Sequence, residues 1–158
     1  MADHAKILAF IAQCDDAAKL RQLLKNAYEQ EADDVADAAF RKLAALVPSE
    51  QPGTVAYDFW RTVNAFELML TVERERTTLL SRTRQKVKRD GVVKTLEDWA
   101  VSKKATPGFR MLLERGMPEL TGEAIVLRHT SHFGADVTAA ARRRLEAAGI
   151  DIANIRIP

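Results

Sequence analysis

Cysteine, glycine and proline are all scarce in this chain of 158 residues. Cys14 is the only cysteine, so an intramolecular disulfide is impossible and a zinc site built on cysteines lacks ligands. Glycine and proline together number twelve, whereas alanine, leucine, arginine and glutamate are abundant. Because alanine and straight-chain residues lose little entropy on entering a helix, this composition favours an all-α fold.

The sequence also lacks a long hydrophobic run. Residues 5–12 (AKILAFIA) are apolar, but the stretch is too short to span a bilayer, and Lys6 lies within it. Asp3 occupies a place where a signal peptide would be basic. We therefore expect a cytoplasmic protein with no membrane contact. The length predicts one compact domain, with an N-terminal part over 1–70 and a basic and C-terminal part over 71–158.

Helix signals divide the chain into three groups of helices. Residues 16–46 predict an N-terminal helical hairpin, which the prolines of the loop 47–53 bring to an end. From Thr54 to Gly91 nothing interrupts the pattern, so one long central helix with a heptad-like seam is predicted. The alternative is a kink or break near Thr77–Thr78. Caps and stops downstream predict several short C-terminal helices, among them 92–101, 107–115 and 136–148.

The most unusual feature is the basic segment SRTRQKVKRDG over 81–91, in which Asp90 is the only acid. Residues 71–94 carry a net charge of +5, whereas residues 1–58 carry −4. Such a split favours an anionic partner, and phosphate is a common one. We therefore predict a small non-enzymatic protein that binds the DNA or RNA backbone through a basic helix. The predicted contact residues are Arg76, Arg82, Arg84, Lys86, Lys88, Arg89, Lys94, Lys103 and Lys104.

Three alternatives to nucleic-acid binding stay open for the basic segment. Lys88 and Arg89 suit a solvated helix end, because cations are favoured at the C-terminal end of the helix dipole. Arg82, Arg84 and Lys86 have no acidic neighbours in the sequence, so these three carry the nucleic-acid hypothesis. The same cations can dock on an acidic protein surface, and the long helix can pair with a second copy. The alternative function is therefore a helical adaptor or oligomerisation module.

The remaining motifs are weak. The chain has no G-x-S-x-G elbow and no glycine-rich phosphate loop, and Cys14 has no neighbouring base, so no catalytic residue is assigned and enzymatic activity is left open. No cofactor is expected. His129 and His132 form an HxxH pair that is the weak candidate for a metal site, but we interpret them as surface or capping residues. The residues 92–115 resemble a helix-turn-helix only in outline, and the run Arg142–Arg144 is interpreted as a solvated face.

Overall fold

The computed structural model describes residues 3–155, and all regular secondary structure in this range is helical. Over this range the chain forms nine α-helices, three short 3-10 helices and no strand, so the all-α prediction is confirmed. None of these helices is both long enough and apolar enough to cross a membrane. The 3-10 helices are Pro118–Leu120, Thr130–His132 and Ile152–Asn154. The α-helices are α1 (His4–Gln13), α2 (Ala17–Glu29), α3 (Asp33–Leu46), α4 (Val55–Arg74), α5 (Ser81–Asp90), α6 (Val92–Val101), α7 (Pro107–Glu114), α8 (Gly122–Arg128) and α9 (Ala135–Ala147).

Several helices begin at side-chain caps that the sequence predicted. The hydroxyl of Thr54 accepts a hydrogen bond from the N–H of Tyr57 at the start of α4, and that of Thr106 accepts one from Phe109 at the start of α7. These bonds satisfy N–H groups that have no partner within the helix. Pro107 takes the first position of α7, where no N–H donor is needed. The chain therefore starts both helices with local signals alone.

The predicted helical hairpin is formed by α2 and α3, which pack against each other and, with α1, enclose the first hydrophobic cluster. Ile11, Leu20 and Phe40 are fully buried there, one from each helix. Burying a side chain of this size contributes roughly 1.5–3 kcal/mol relative to leaving it exposed. The hairpin thus has its own apolar interior, and α3 also packs against α4.

Helix α4 supplies side chains to two hydrophobic clusters. Ala65 and Met69 belong to the first cluster, with the hairpin. Phe59 and Val63 belong to a second cluster, which helices α6, α8 and α9 complete. Helix α4 therefore joins the N-terminal hairpin to the C-terminal helices. The division into parts 1–70 and 71–158 stays a prediction.

A buried carboxylate on α4 holds the end of α8. Asp58 Oδ2 lies 2.7 Å from Nε2 of His129 and 3.3 Å from Nε of Arg128, whose Nη1 donates to the carbonyl of Glu119. Burial lowers the pKa of Arg128, against the attraction of Asp58. The rings of His129 and His132 lie 6.3 Å apart, and within residues 3–155 no group of three metal-binding side chains surrounds them. His129 therefore caps the C-terminal end of α8 and pairs with Asp58, whereas His132 is an exposed surface residue.

A second buried ion pair joins α8 to α9. Arg144 Nη1 donates to Glu123 Oε1 at 2.9 Å and to the carbonyl oxygen of Trp99 at 2.6 Å. Its Nη2 donates to the carbonyl of Ser102. The interpretation of Arg142–Arg144 as one solvated face is therefore wrong for Arg144, because only the first two arginines are exposed. Since three acceptors surround one guanidinium, Arg144 ties the α6–α7 connection to the C-terminal helices.

The burial of Glu123 predicts an unusual pH dependence. Burial raises the pKa of Glu123 above its ordinary value of 4.5, although Arg144 opposes the shift. Because the carboxyl pKa is higher in the folded protein, protonated Glu123 adds to the free energy of unfolding. This contribution is fully present below pH 4.5 and is lost as the pH rises through the raised pKa. Glu123→Gln cannot titrate, so the free energy of unfolding of the variant should gain on that of the parent as pH rises above about 4.5.

Urea unfolding of both proteins at a series of pH values measures this difference. Glu146→Gln is the matched control, because this carboxylate lies exposed on α9 and its removal should not reproduce the trend. A difference between Glu123→Gln and the parent that stays constant or shrinks with rising pH would contradict the prediction.

Candidate nucleic-acid interface

The basic segment does not continue α4. Helix α4 ends at Arg74, Glu75 takes a left-handed conformation with φ 54°, and α5 begins at Ser81. The prediction of one continuous helix is therefore replaced by two helices. The six residues between them include Thr77–Thr78, where a break was the alternative.

Two side chains of α4 accept hydrogen bonds from backbone N–H groups of the link between α4 and α5, residues 75–80. Thr71 Oγ1 accepts the N–H of Thr78 at 3.0 Å, and Glu67 Oε1 accepts the N–H of Leu80 at 3.3 Å. Both acceptors lie earlier on α4, so the chain turns back along that helix instead of extending it. Because side chains take over the lost helical hydrogen bonds, the break leaves these two N–H groups satisfied. Helix α5 consequently starts beside the middle of α4.

Arg84 is the residue that fixes α5 on α4. Its Nε donates to Glu67 Oε1 at 2.7 Å and its Nη2 to Glu67 Oε2 at 3.0 Å, which is the two-pronged geometry of a strong pair. The guanidinium carbon also lies 5.2 Å from the ring centre of Trp60. The hydrogen bonds to Glu67 raise the pKa of Arg84. Glu67 is almost fully buried, so Arg84 compensates a charge that cannot reach water.

A second set of ion pairs joins α5 to α6. Lys86 Nζ lies 2.6 Å from Asp98 Oδ2 and 3.0 Å from Asp90 Oδ2, and Lys94 Nζ lies 3.0 Å from Asp98 Oδ1. Lys86 and Lys94 lower the pKa of Asp98. Hydrogen bonds from Arg89 and then Lys86 lower the pKa of Asp90 to about 2. These carboxylates are therefore charged at neutral pH, and they neutralise part of the basic segment.

The three cations that carried the nucleic-acid hypothesis fall into two classes. Arg84 and Lys86 do have acidic partners, which come from α4 and α6 as well as from the end of α5. Arg82 is exposed and, within residues 3–155, has no ion pair. The expectation that all three lack acidic neighbours is thus wrong for two of them. Their positive charge is explained by packing, whereas that of Arg82 is not.

Arg82, Lys88 and Arg89 form the solvent face of α5, which we call the cationic face. At about 100° per residue the three side chains and Gln85 fall within an arc of roughly 120°. All four residues are exposed, and the nearest charged acceptor is Asp90, which Arg89 contacts at 2.9 Å. The face therefore presents three cations to solvent. The other predicted contact residues Arg76, Lys94, Lys103 and Lys104 are exposed in the α4–α5 link, on α6 and in the α6–α7 connection.

The helix-turn-helix outline corresponds to α6 and α7. The buried side of α7 is made by Gly108, Phe109 and Leu112. Its exposed positions include only two charged residues, Arg110 and Glu114, of opposite sign. A recognition helix needs polar side chains that reach base edges, so α7 offers little for reading a groove. The candidate interface is therefore α5 rather than this pair.

Removing either partner of the Glu67–Arg84 pair should destabilise the fold. Arg84→Gln leaves the buried carboxylate of Glu67 without its cation. Glu67→Gln removes the charged acceptor of Arg84, whose side chain is 39% exposed. Fully buried pairs cost about 3–5 kcal/mol to break, so partial exposure reduces the expected loss in the free energy of unfolding to about 1–3 kcal/mol. A double-mutant cycle should return a coupling of at least about 0.5 kcal/mol.

The matched control is Arg89→Gln, an arginine of the same helix whose side chain is 69% exposed and pairs with the adjacent Asp90. Chemical unfolding should give the same stability for this variant as for the parent. Additive effects of Glu67→Gln and Arg84→Gln would show that the pair does not hold α5 on α4.

Comparison of the chain with protein-family models, with curated proteins and with solved structures finds no match. A functional proposal therefore has to come from the geometry of these residues.

Proposed function

We propose that this protein is a non-enzymatic nucleic-acid-binding protein that contacts the phosphate backbone through the cationic face of α5. The observation that carries the proposal is the exposure of Arg82, Lys88 and Arg89 on one side of one helix. Phosphates neutralised by such cations release counterions, which supplies affinity without sequence selection. Three cations suit contact with the phosphate backbone of a nucleic acid. The cationic face has no group of polar side chains that could distinguish one base from another.

The cations that pair with carboxylates of α4 and α6 have a different task in this proposal. Arg84 and Lys86 hold the helix against α4 and α6, so that the exposed cations keep a fixed spacing. Preorganised charges bind an anion without the entropic cost of ordering a mobile segment. The pairs also leave an excess of positive charge. Helix α5 carries five cations, and among the described residues three carboxylates pair with them, those of Glu67, Asp90 and Asp98.

The alternative function, a helical adaptor, has support from a different surface. Val72 and Leu79 are large apolar side chains that remain 40% and 57% exposed near the α4–α5 link. Exposed apolar side chains beside cations suit contact with an acidic protein surface. Self-association through a continuous central helix has less support, because α4 ends at Arg74. In addition Val63, which occupies a position of the predicted heptad-like seam, is buried in the second cluster.

Phosphate binding predicts a specific dependence on salt. The triple variant Arg82→Gln/Lys88→Gln/Arg89→Gln should bind a single-stranded oligonucleotide of about 20 nucleotides more weakly than the parent. The slope of log affinity against log salt should fall by about two, since each cation removed contributes about 0.7. Fluorescence anisotropy between roughly 50 and 200 mM salt measures both quantities.

The control variant is Arg21→Gln/Arg142→Gln/Arg143→Gln, which removes the same net charge from exposed positions on α2 and α9. It should leave the slope almost unchanged. Absence of binding to single-stranded and duplex oligonucleotides at low salt would contradict the proposal. A polyglutamate peptide of equal charge that binds more tightly than either oligonucleotide would instead assign the cationic face to an acidic protein.

A further inference from the structure

A cavity of about 400 Å³ opens beside the cationic face, where α4 to α8 meet. Its walls include the aromatic side chains of Phe66, Trp99 and Phe109 and the aliphatic side chains of Leu80 and Leu112. The volume lies within the range of natural small-ligand pockets, roughly 300–1,000 Å³. Phosphate contact along the outer side of α5 does not by itself use this space.

Two glycines bring the aromatic walls into place. A Cβ atom at Gly108 would lie 2.3 Å from the ring of Phe66, so only glycine lets this ring rest on the first turn of α7. A Cβ atom at Gly122 would lie 2.9 Å from the ring of Trp99. Trp99 also stacks on Phe59, with ring centres 5.4 Å apart and planes 27° apart. Close packing against these glycines and against Phe59 therefore fixes the rings.

The polar side chains that line the cavity come from α4 (Thr62), from α5 and from the start of α7. Among the described residues, Arg82 is the only charged side chain in the lining, and Thr83 adds a hydroxyl from the same helix. Thr106 also lines the cavity; its oxygen accepts the N–H of Phe109, which leaves its own proton free to donate. Arg82 thus belongs both to the cavity and to the cationic face, and Arg89 follows it at about 10 Å along the helix axis.

We propose that the cavity takes one unstacked base of a single-stranded nucleic acid whose phosphate is bound by Arg82. This inference rests on the proposed function and narrows it from nucleic acid in general to single strands. Every base has an aromatic face that can stack on side chains such as Phe66 and Trp99, so the site needs no particular base. Bases in a duplex are paired and stacked, and entry would require one to be flipped out.

The positive charge of Arg82 in the cavity lining favours a nucleotide over a purely apolar ligand. A lipid tail or a buried apolar side chain has no group that Arg82 would bind. A nucleotide joins an aromatic ring to an anion, which matches an aromatic cavity with one cation at its edge. The hydroxyls of Thr83 and Thr106 can hydrogen-bond to polar atoms on the edge of a base. Charge and wall chemistry therefore point to the same ligand.

The test compares oligonucleotides that differ only in their bases. The full 158-residue chain is titrated with a short oligodeoxythymidylate, with an abasic deoxyribose-phosphate chain of equal length, and with a duplex of that length. The abasic chain keeps every phosphate, so it should bind about 5- to 150-fold more weakly if a base stacks in the cavity. The duplex should also bind more weakly than the single strand.

A cavity-filling variant supplies the matching change in the protein. Thr83→Phe places a ring at the cavity wall and should reduce the affinity for oligodeoxythymidylate to that for the abasic chain. Thr130→Phe is the control, since Thr130 is exposed and does not line the cavity. Thermal unfolding checks that both variants fold, and the comparison of ligands on the parent protein does not depend on either.

The outcomes separate the two proposals. If no oligonucleotide binds at low salt, the proposed function is overturned and the cavity inference fails with it. If base-bearing and abasic chains bind the parent equally, or the duplex binds at least as tightly as the single strand, only the cavity inference is overturned. A third outcome would assign the cavity to a protein partner instead. In that case the parent shows no preference for base-bearing strands but binds an acidic peptide that contains phenylalanine, and Thr83→Phe abolishes this binding.

Discussion

The carboxylate of Glu67 is buried within α4 and must be compensated, and the course of the chain from 75 to 90 follows from that requirement. One oxygen accepts the backbone N–H of Leu80, and both oxygens accept the guanidinium of Arg84. An uncompensated charge at this position would cost several kcal/mol. The same carboxylate therefore ends the link, starts α5 and sets the rotation of that helix about its own axis.

The rotation decides which cations face the solvent. With Arg84 turned toward α4 and Lys86 toward Asp98, the opposite side of the helix holds Arg82, Lys88 and Arg89. A basic run in the sequence thus becomes two sets of cations, one that builds the fold and one that is available to a partner. The number of positive residues in the sequence overestimates the charge that such an interface offers to a partner, because ion pairs within the fold neutralise part of that charge.

Local signals were sufficient to predict most helices, whereas the site depended on contacts between distant residues. The cap at Thr106 and the stop at Gly91 are determined by neighbouring atoms, so the sequence contains them directly. Glu67 and Arg84 are separated by seventeen positions, and no periodicity reports that they meet. One signal did exist: Glu67 follows Val63 by four residues, so it lies on the buried face of α4 and needs a cation. Arg144 carried a comparable signal, because it follows the buried Val137 by seven residues and the buried Ala141 by three.

Helix α4 contributes to both hydrophobic clusters, and this shared position governs how the molecule opens. Separating α4 from either cluster exposes apolar side chains both of that cluster and of α4, so partial unfolding that separates them is disfavoured. Amide hydrogens in the middle of α4 should therefore exchange only through opening of the whole chain, whereas those of Thr78 and Leu80, each bonded to one side chain, should exchange through local fluctuation. Local opening of the link should leave α5 in place, because Arg84 still pairs with Glu67 on α4.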